Sequence, residues 1–236
     1  QAVVLDSTQN ALILAGAGSG KTRVLTHRIA YLITQKKLHT DAILALTFTN
    51  KAANEMRERL SVLLKRPIGS MWVGTFHGLA HRLLRAHPVE ANLSPQFQIL
   101  DAQDQSRIIK RLMKENQIDE GKFPVRKVQW FINQQKDEGL RPTDIEAGHN
   151  YFVKKSLEIF TLYEKHCNDN DLIDFAELLV RSYELLKNNS ALRSHYQTRF
   201  EHILVDEFQD TNTMQYQWIK LLFNGNNKVF CVGDDD

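Results

Sequence analysis

The 236-residue sequence is poor in the residues that build cross-linked or metal-stapled folds, with only two cysteines, Cys167 and Cys231, far apart and in no C-x-x-C pair. That excludes a disulfide framework and a cysteine zinc site, and leaves both as small core residues of a reducing compartment. Long hydrophobic runs are missing too. No stretch approaches the ~18 consecutive apolar residues of a membrane span, and the first residues lack a basic-then-apolar export pattern. The expectation is a cytoplasmic chain with no membrane partner. Nor is there a strong charge of one sign: 30 basic against 28 acidic residues give a formal +2. Any nucleic-acid surface is therefore local rather than a global field. Repeats and low-complexity segments are absent, and 42% hydrophobic with 25% charged residues fits a folded chain of one large or two modest domains.

What is present centres on Ala11–Thr22, A-L-I-L-A-G-A-G-S-G-K-T. An apolar run of strand length meets a glycine-rich turn. Leu25, Ile29, Leu32 and Ile33 then recur at helical spacing, so a helix starts at the loop and aims its N-terminus back at it. Free amides and the positive end of the helix dipole suit a phosphate there. From Ala15 to Thr22 the segment matches G-x-x-x-x-G-K-[ST] except that Ala15 stands for the first glycine. Gly16, Gly18 and Gly20, with Ala17 and Ser19 between them, let the backbone approach a triphosphate. Lys21 reaches the β/γ-phosphates, and the Thr22 hydroxyl is a ligand for Mg²⁺. The bland alternative is a glycine-rich turn without chemistry.

Further strand-length runs, Ile43–Thr49, Met71–Thr75, His202–Val205 and Val229–Val232, alternate with amphipathic segments that carry Ala53, Met56 and Leu60, then Phe76–Ala86, then Tyr216, Ile219 and Leu222. Strands alternating with helices predict an α/β fold with a parallel sheet covered on both faces. From Pro88 to about Arg199 helical patterns dominate, and no strand is predicted. Asp101 or Asp104 is placed to cap a helix carrying Ile109 and Met113, and Thr211, Asn212 or Thr213 to cap the one before the last strand. The chain thus reads as an α/β domain over 1–86 and 200–236 with a helical inserted subdomain over 87–199.

The run I-L-V-D-E-F-Q-D supplies what the glycine-rich loop needs. Asp206 stands at the carboxyl end of a buried strand, where it can help hold Mg²⁺. Glu207, next to it, is a further residue for the Mg²⁺ site and is placed to orient or deprotonate water, which favours hydrolysis over transfer to a hydroxyl. Alone, the same residues read as a solvated acidic loop.

Five motifs in order, A-G-A-G-S-G-K-T, T-F-T-N-K-A-A, V-G-T-F-H, D-E-F-Q-D-T and V-G-D-D-D, resemble those of superfamily 1 DNA helicases of the UvrD/Rep/PcrA group. The resemblance covers essentially the whole chain. It implies a RecA-like P-loop NTPase sheet, incomplete here and carrying the insertion. It also implies an ATP-driven motor that moves 3′ to 5′ on single-stranded DNA, separates duplex DNA and serves repair alongside other repair proteins. By motif position, Arg23 would contact the nucleotide and Gln209 would sense the γ-phosphate or the water. Phe48, Asn50, Thr75 and His77 would line the single-strand path. Read without the family, Phe48 is a core aromatic and His77 a surface histidine, while Asn50, Thr75 and Lys51 serve equally as phosphate donors or helix caps.

Asp174 and Phe175 are explained as a helix cap with a core aromatic, and Trp72, Trp130 and Trp218 as packing or subdomain contacts. The sequence stops at V-G-D-D-D, inside a motif of the resemblance, so a fragment without the second RecA-like domain and its arginines is expected, with little ATPase activity of its own. Other readings are a single-stranded-DNA-binding module that uses nucleotide only as a switch, and a P-loop kinase, for which no phosphoacceptor lid is evident.

Overall fold

The computed structural model describes residues 9–16 and 18–234. Ala17 of the phosphate-loop reading and the last two acids of V-G-D-D-D lie outside them. The elements run β1 (Ala11–Leu14), α1 (Lys21–Thr34), β2 (Ile43–Thr47), α2 (Asn50–Leu64), β3 (Trp72–Thr75), α3 (Phe76–Ala86), β4 (Gln98–Ile99), α4 (Ala102–Glu115), α5 (Val125–Asp137), α6 (Tyr151–Asp169), β5 (Leu172–Ile173), α7 (Phe175–Asn188), α8 (Ser190–Arg199), β6 (His202–Val205), α9 (Thr213–Leu222) and β7 (Lys228–Gly233). They divide between two compact units. One holds the described residues up to Leu79, Leu186–Thr211 and those from Tyr216 on; the other holds Ala80–Leu185 with Asn212–Gln215.

The first unit is built on a five-stranded sheet in the order β1-β7-β6-β2-β3, parallel at every pairing. In β2 successive side chains point to opposite faces. Ile43 and Ala45 join Leu25, Ile29 and Leu32 of α1 and Met56 and Leu60 of α2 in one core. Leu44 and Leu46, equally buried, serve the other face. Each such leucine or isoleucine contributes roughly 1.5–3 kcal/mol on leaving water, so a strand apolar at every position is stable only with both faces covered. At the sheet edge β1 alternates instead: Leu12 and Leu14 are 55% exposed while Ala11 and Ile13 pack on the core. Trp72 meets Tyr196 and Phe200 edge to face at 5.6 and 5.3 Å, and Phe76 meets Trp218 at 6.4 Å. Trp72 and Trp218 are thus packing residues. Through Tyr196, α8 belongs to this unit, although its helical character groups it in sequence with the block before it.

In the second unit α4, α5 and α6 bury Ile109, Met113, Val128, Ile132, Ile159 and Phe160 together. Asp101 caps α4, accepting from the amides of Gln103 and Asp104, a contact worth about 1 kcal/mol. A two-residue parallel pair, β4 with β5, is present where no strand is predicted, being too short to leave a periodic signal. Asp174 caps α7 by accepting from the Glu177 amide at 2.8 Å. Phe175 is not a core aromatic: it opens α7 facing outward, 58% exposed. Nor is Trp130 packed, being 65% exposed, because the buried stripe of α5 runs through Val128, Phe131 and Ile132 and Trp130 lies off it. Both cysteines are buried and free. Among the described residues no helix is long and apolar enough to cross a membrane.

Candidate functional site

In a parallel sheet every carboxyl end lies on one edge, and ligands bind in the crevice beyond it. The loops leaving β1, β7 and β6 are consecutive along that edge because β7 lies between the other two. They carry, in turn, the glycine-rich loop, Asp234, and the Asp206-Glu207 pair.

Gly20 makes the turn into α1 with φ of 89°, a left-handed conformation that glycine adopts without a Cβ penalty. No described side chain caps this helix, and its first turn holds no acid. Its leading amides and positive dipole end are therefore available to an anion. The Lys21 ammonium donates to the Ala15 carbonyl at 2.6 Å and the Gly16 carbonyl at 3.2 Å, and pairs with the Asp234 carboxylate. Next to it, the Thr22 hydroxyl donates to Asp206 Oδ2 at 3.0 Å.

Asp206 is 3% exposed, and its backbone amide is tied to the Leu46 carbonyl at 2.9 Å. Burial pushes its carboxyl above the ordinary value, partly offset by the Thr22 hydrogen bond and by the charge of Lys21. Its other oxygen, Oδ1, is buried without a hydrogen-bond partner among the described residues, which is costly unless something binds it. An oxygen-seeking cation answers that need. Among the described residues no group of three or more histidine, cysteine or acidic side chains forms a metal site. The donor set is thus one carboxylate and one hydroxyl, the sparse oxygen ligation that suits Mg²⁺ shared with phosphates and water.

Glu207 adopts the left-handed region with φ of 50°, an unfavourable conformation for a glutamate. Its carboxyl is raised by burial first, then by the negative charges of Asp206 and Asp210. Two residues on, Gln209 Oε1 accepts from the Asp234 amide at 3.0 Å. A Cβ at Gly233 would lie 2.9 Å from that oxygen, so a side chain there would require the end of Gln209 to shift. Arg23, exposed on α1, lines an open cavity of about 580 Å³ with His27, Arg59, Val62 and Leu63.

The four DNA candidates follow the next two strands along the sheet. Thr47 and Thr75 are paired across β2 and β3, so Phe48 and Asn50 leave the edge beside Thr75 and His77. Phe48 is half-buried against Phe76 with ring centroids 5.4 Å apart. Asn50 opens α2, which is capped by Thr49. The Thr75 hydroxyl accepts from the Gly78 amide at 3.1 Å. Burial pulls the His77 imidazole below its ordinary value.

Direct contact therefore joins Lys21 to Asp234, Thr22 to Asp206 and Gln209 to Asp234. Asp234 is the residue that sequence reasoning passed over. Its signal, an acid directly after an apolar strand, is the same one that marked Asp206.

A family model described as UvrD/REP helicase N-terminal domain matches residues 1–236. The chain is 54% identical over 227 residues to DNA helicase II of Escherichia coli (strain K12), a match covering 96% of this chain and 32% of that relative. It is 52% identical over 231 residues to DNA helicase II of Haemophilus influenzae, covering 96% and 32%. With ATP-dependent DNA helicase PcrA of Leuconostoc citreum it shares 38% identity over 239 residues, covering 100% and 32%. The chain thus spans about a third of the length of these curated relatives. With the parallel sheet, its loop and its acids in agreement with a match along the whole sequence, the chain belongs to the UvrD/REP helicase family, whose N-terminal domain is RecA-like.

Proposed function

We propose that the chain is the ATP-binding motor part of a cytoplasmic DNA helicase. On this reading it couples hydrolysis of Mg·ATP to 3′-to-5′ movement on single-stranded DNA and to separation of duplexes in DNA repair. The observation that carries it is the contact of Thr22 with Asp206, which joins the glycine-rich loop to the acid pair.

Lys21 supplies the cation for the β/γ-phosphates, the amides from Gly18 to Lys21 cradle them, and Arg23 contacts the rest of the nucleotide. Thr22 and Asp206 would hold Mg²⁺, which supplies charge neutralisation on the transferred phosphate. Glu207 takes the proton of the attacking water. Its upward-shifted carboxyl makes it a better base than an ordinary glutamate, and Gln209 orients the same water. Phe48, Asn50, Thr75 and His77 hold single-stranded DNA at the neighbouring strand ends, by stacking and by hydrogen bonds to phosphates. The second RecA-like domain, with arginines that reach the γ-phosphate, belongs to the remaining length of such proteins. The isolated chain then binds nucleotide but turns it over slowly.

The test is Glu207→Gln in the complete protein. Nucleotide affinity is expected to stay within about twofold, while DNA-stimulated turnover falls by about 10²–10⁴. Unchanged turnover would remove Glu207 as the base. DNA binding without turnover in the unsubstituted protein would favour a nucleotide-switched binding module instead.

A further inference from the structure

An ammonium has three N–H donors, and three acceptors surround that of Lys21: the carbonyls of Ala15 and Gly16 and the carboxylate of Asp234. Its donor capacity is used. A phosphate oxygen can bond Lys21 only by exchange with one of the three. The two carbonyls are fixed in the loop backbone, which is itself tied to the sheet by the Ala15 amide donating to the Gly233 carbonyl at 3.1 Å. Asp234 differs in two ways. It is an anion, which a phosphate repels, and its side chain is 31% exposed against 12% for Lys21, so it has a path to water. Its backbone amide donates to the Gln209 side chain at 3.0 Å, which places the carboxylate beside the point where Gln209 leans on the strand end.

We propose that Asp234 is the counter-ion that the phosphates of a nucleotide displace from Lys21. It thereby sets the affinity of the site for a triphosphate and ties nucleotide binding to release of the Asp234 side chain at the end of β7. The inference rests on the nucleotide-site reading above. Its energetic scale is that of a partly exposed ion pair, so loss of the competitor is read as a change of about two- to fivefold in affinity.

The experiment is equilibrium titration of the 236-residue chain with a fluorescent ATP analogue and Mg²⁺. It compares the unsubstituted chain, Asp234→Asn, Asp234→Ser, Lys21→Met, and Lys21→Met combined with Asp234→Asn, each checked for a cooperative thermal transition. Both Asp234 variants are expected to bind about two- to fivefold tighter, and the Asp234→Asn change to have no effect where Lys21 is Met. A purely structural role for Asp234 predicts weaker binding in both backgrounds. Nucleotide binding by the unsubstituted chain with no tightening in either Asp234 variant overturns this inference alone. Failure of every form to bind overturns the nucleotide-site reading, and this inference with it.

Discussion

The Thr22 hydroxyl donates to the Asp206 carboxylate at 3.0 Å across 184 positions of sequence. Two facts make that contact possible. The strands are parallel, so residues following β1 and β6 emerge on one edge, and the interposed β7 spaces them by two strand widths. A site assembled this way has its hydroxyl and lysine on one element and its acid on another, so its integrity reports the pairing of distant segments.

Phe48 provides a test of the proposed DNA path that is separate from the nucleotide. Phe48→Leu keeps apolar volume against Phe76 but removes the ring, and is expected to weaken single-stranded DNA binding by about 1–3 kcal/mol. Fluorescence anisotropy of a labelled oligonucleotide reads this, with nucleotide affinity as the control. Equal DNA affinity would return Phe48 to the core-aromatic role.

In the second unit, Lys136 lies between Asp174 at 2.8 Å and Glu177 at 2.9 Å, all three side chains at most 5% exposed. Burial alone would raise the Glu177 carboxyl, but Lys136, Arg141 and Arg181 hold it well below the ordinary carboxylate range. Lys136→Met strands the buried acids and is expected to cost about 3–5 kcal/mol in urea unfolding. Replacing Asp174 with Asn in the same chain should recover part of that loss. A loss under about 1 kcal/mol would show the cluster to be energetically idle.

His202, at the start of β6, is buried with Nδ1 unpartnered among the described residues. Burial first, and then the charges of Arg28 and Lys228, push its imidazole down to about 4. A base with a folded pKa below its unfolded value near 6.5 binds fewer protons when folded, so stability rises with pH between the two. The contribution is complete above about pH 6.5 and is lost as pH falls towards about 4. His202→Leu should flatten the dependence of unfolding free energy on pH in that window. An unaltered slope would mean that His202 carries none of the acid sensitivity.

Local chemistry made much of this molecule readable. The glycine-rich loop and the Asp206-Glu207 pair announce themselves through residue types at fixed spacing, and β2 and β6 through uninterrupted apolar runs. What depended on pairing between distant strands was not readable. Asp234 meets Lys21 only because β7 pairs with β1, and the left-handed backbone of Glu207 follows from the tight turn after β6. The outward faces of Phe175 and Trp130 were hidden for another reason. An aromatic in a helical segment has no sequence mark distinguishing the buried stripe from its neighbour, and Trp130 directly precedes the buried Phe131 and Ile132 of α5.

The joining of the glycine-rich loop to Asp206 is tested most directly by titrating a fluorescent ATP analogue with and without Mg²⁺, comparing the unsubstituted chain with Asp206→Asn. Mg²⁺ is expected to tighten binding by about tenfold or more in the unsubstituted chain, the scale of an interaction with a charged group. The asparagine variant should lose most of that gain and keep its Mg²⁺-free affinity within about twofold. A variant that retains the full Mg²⁺ effect would contradict the account, because Asp206 would then have no part in holding the ion.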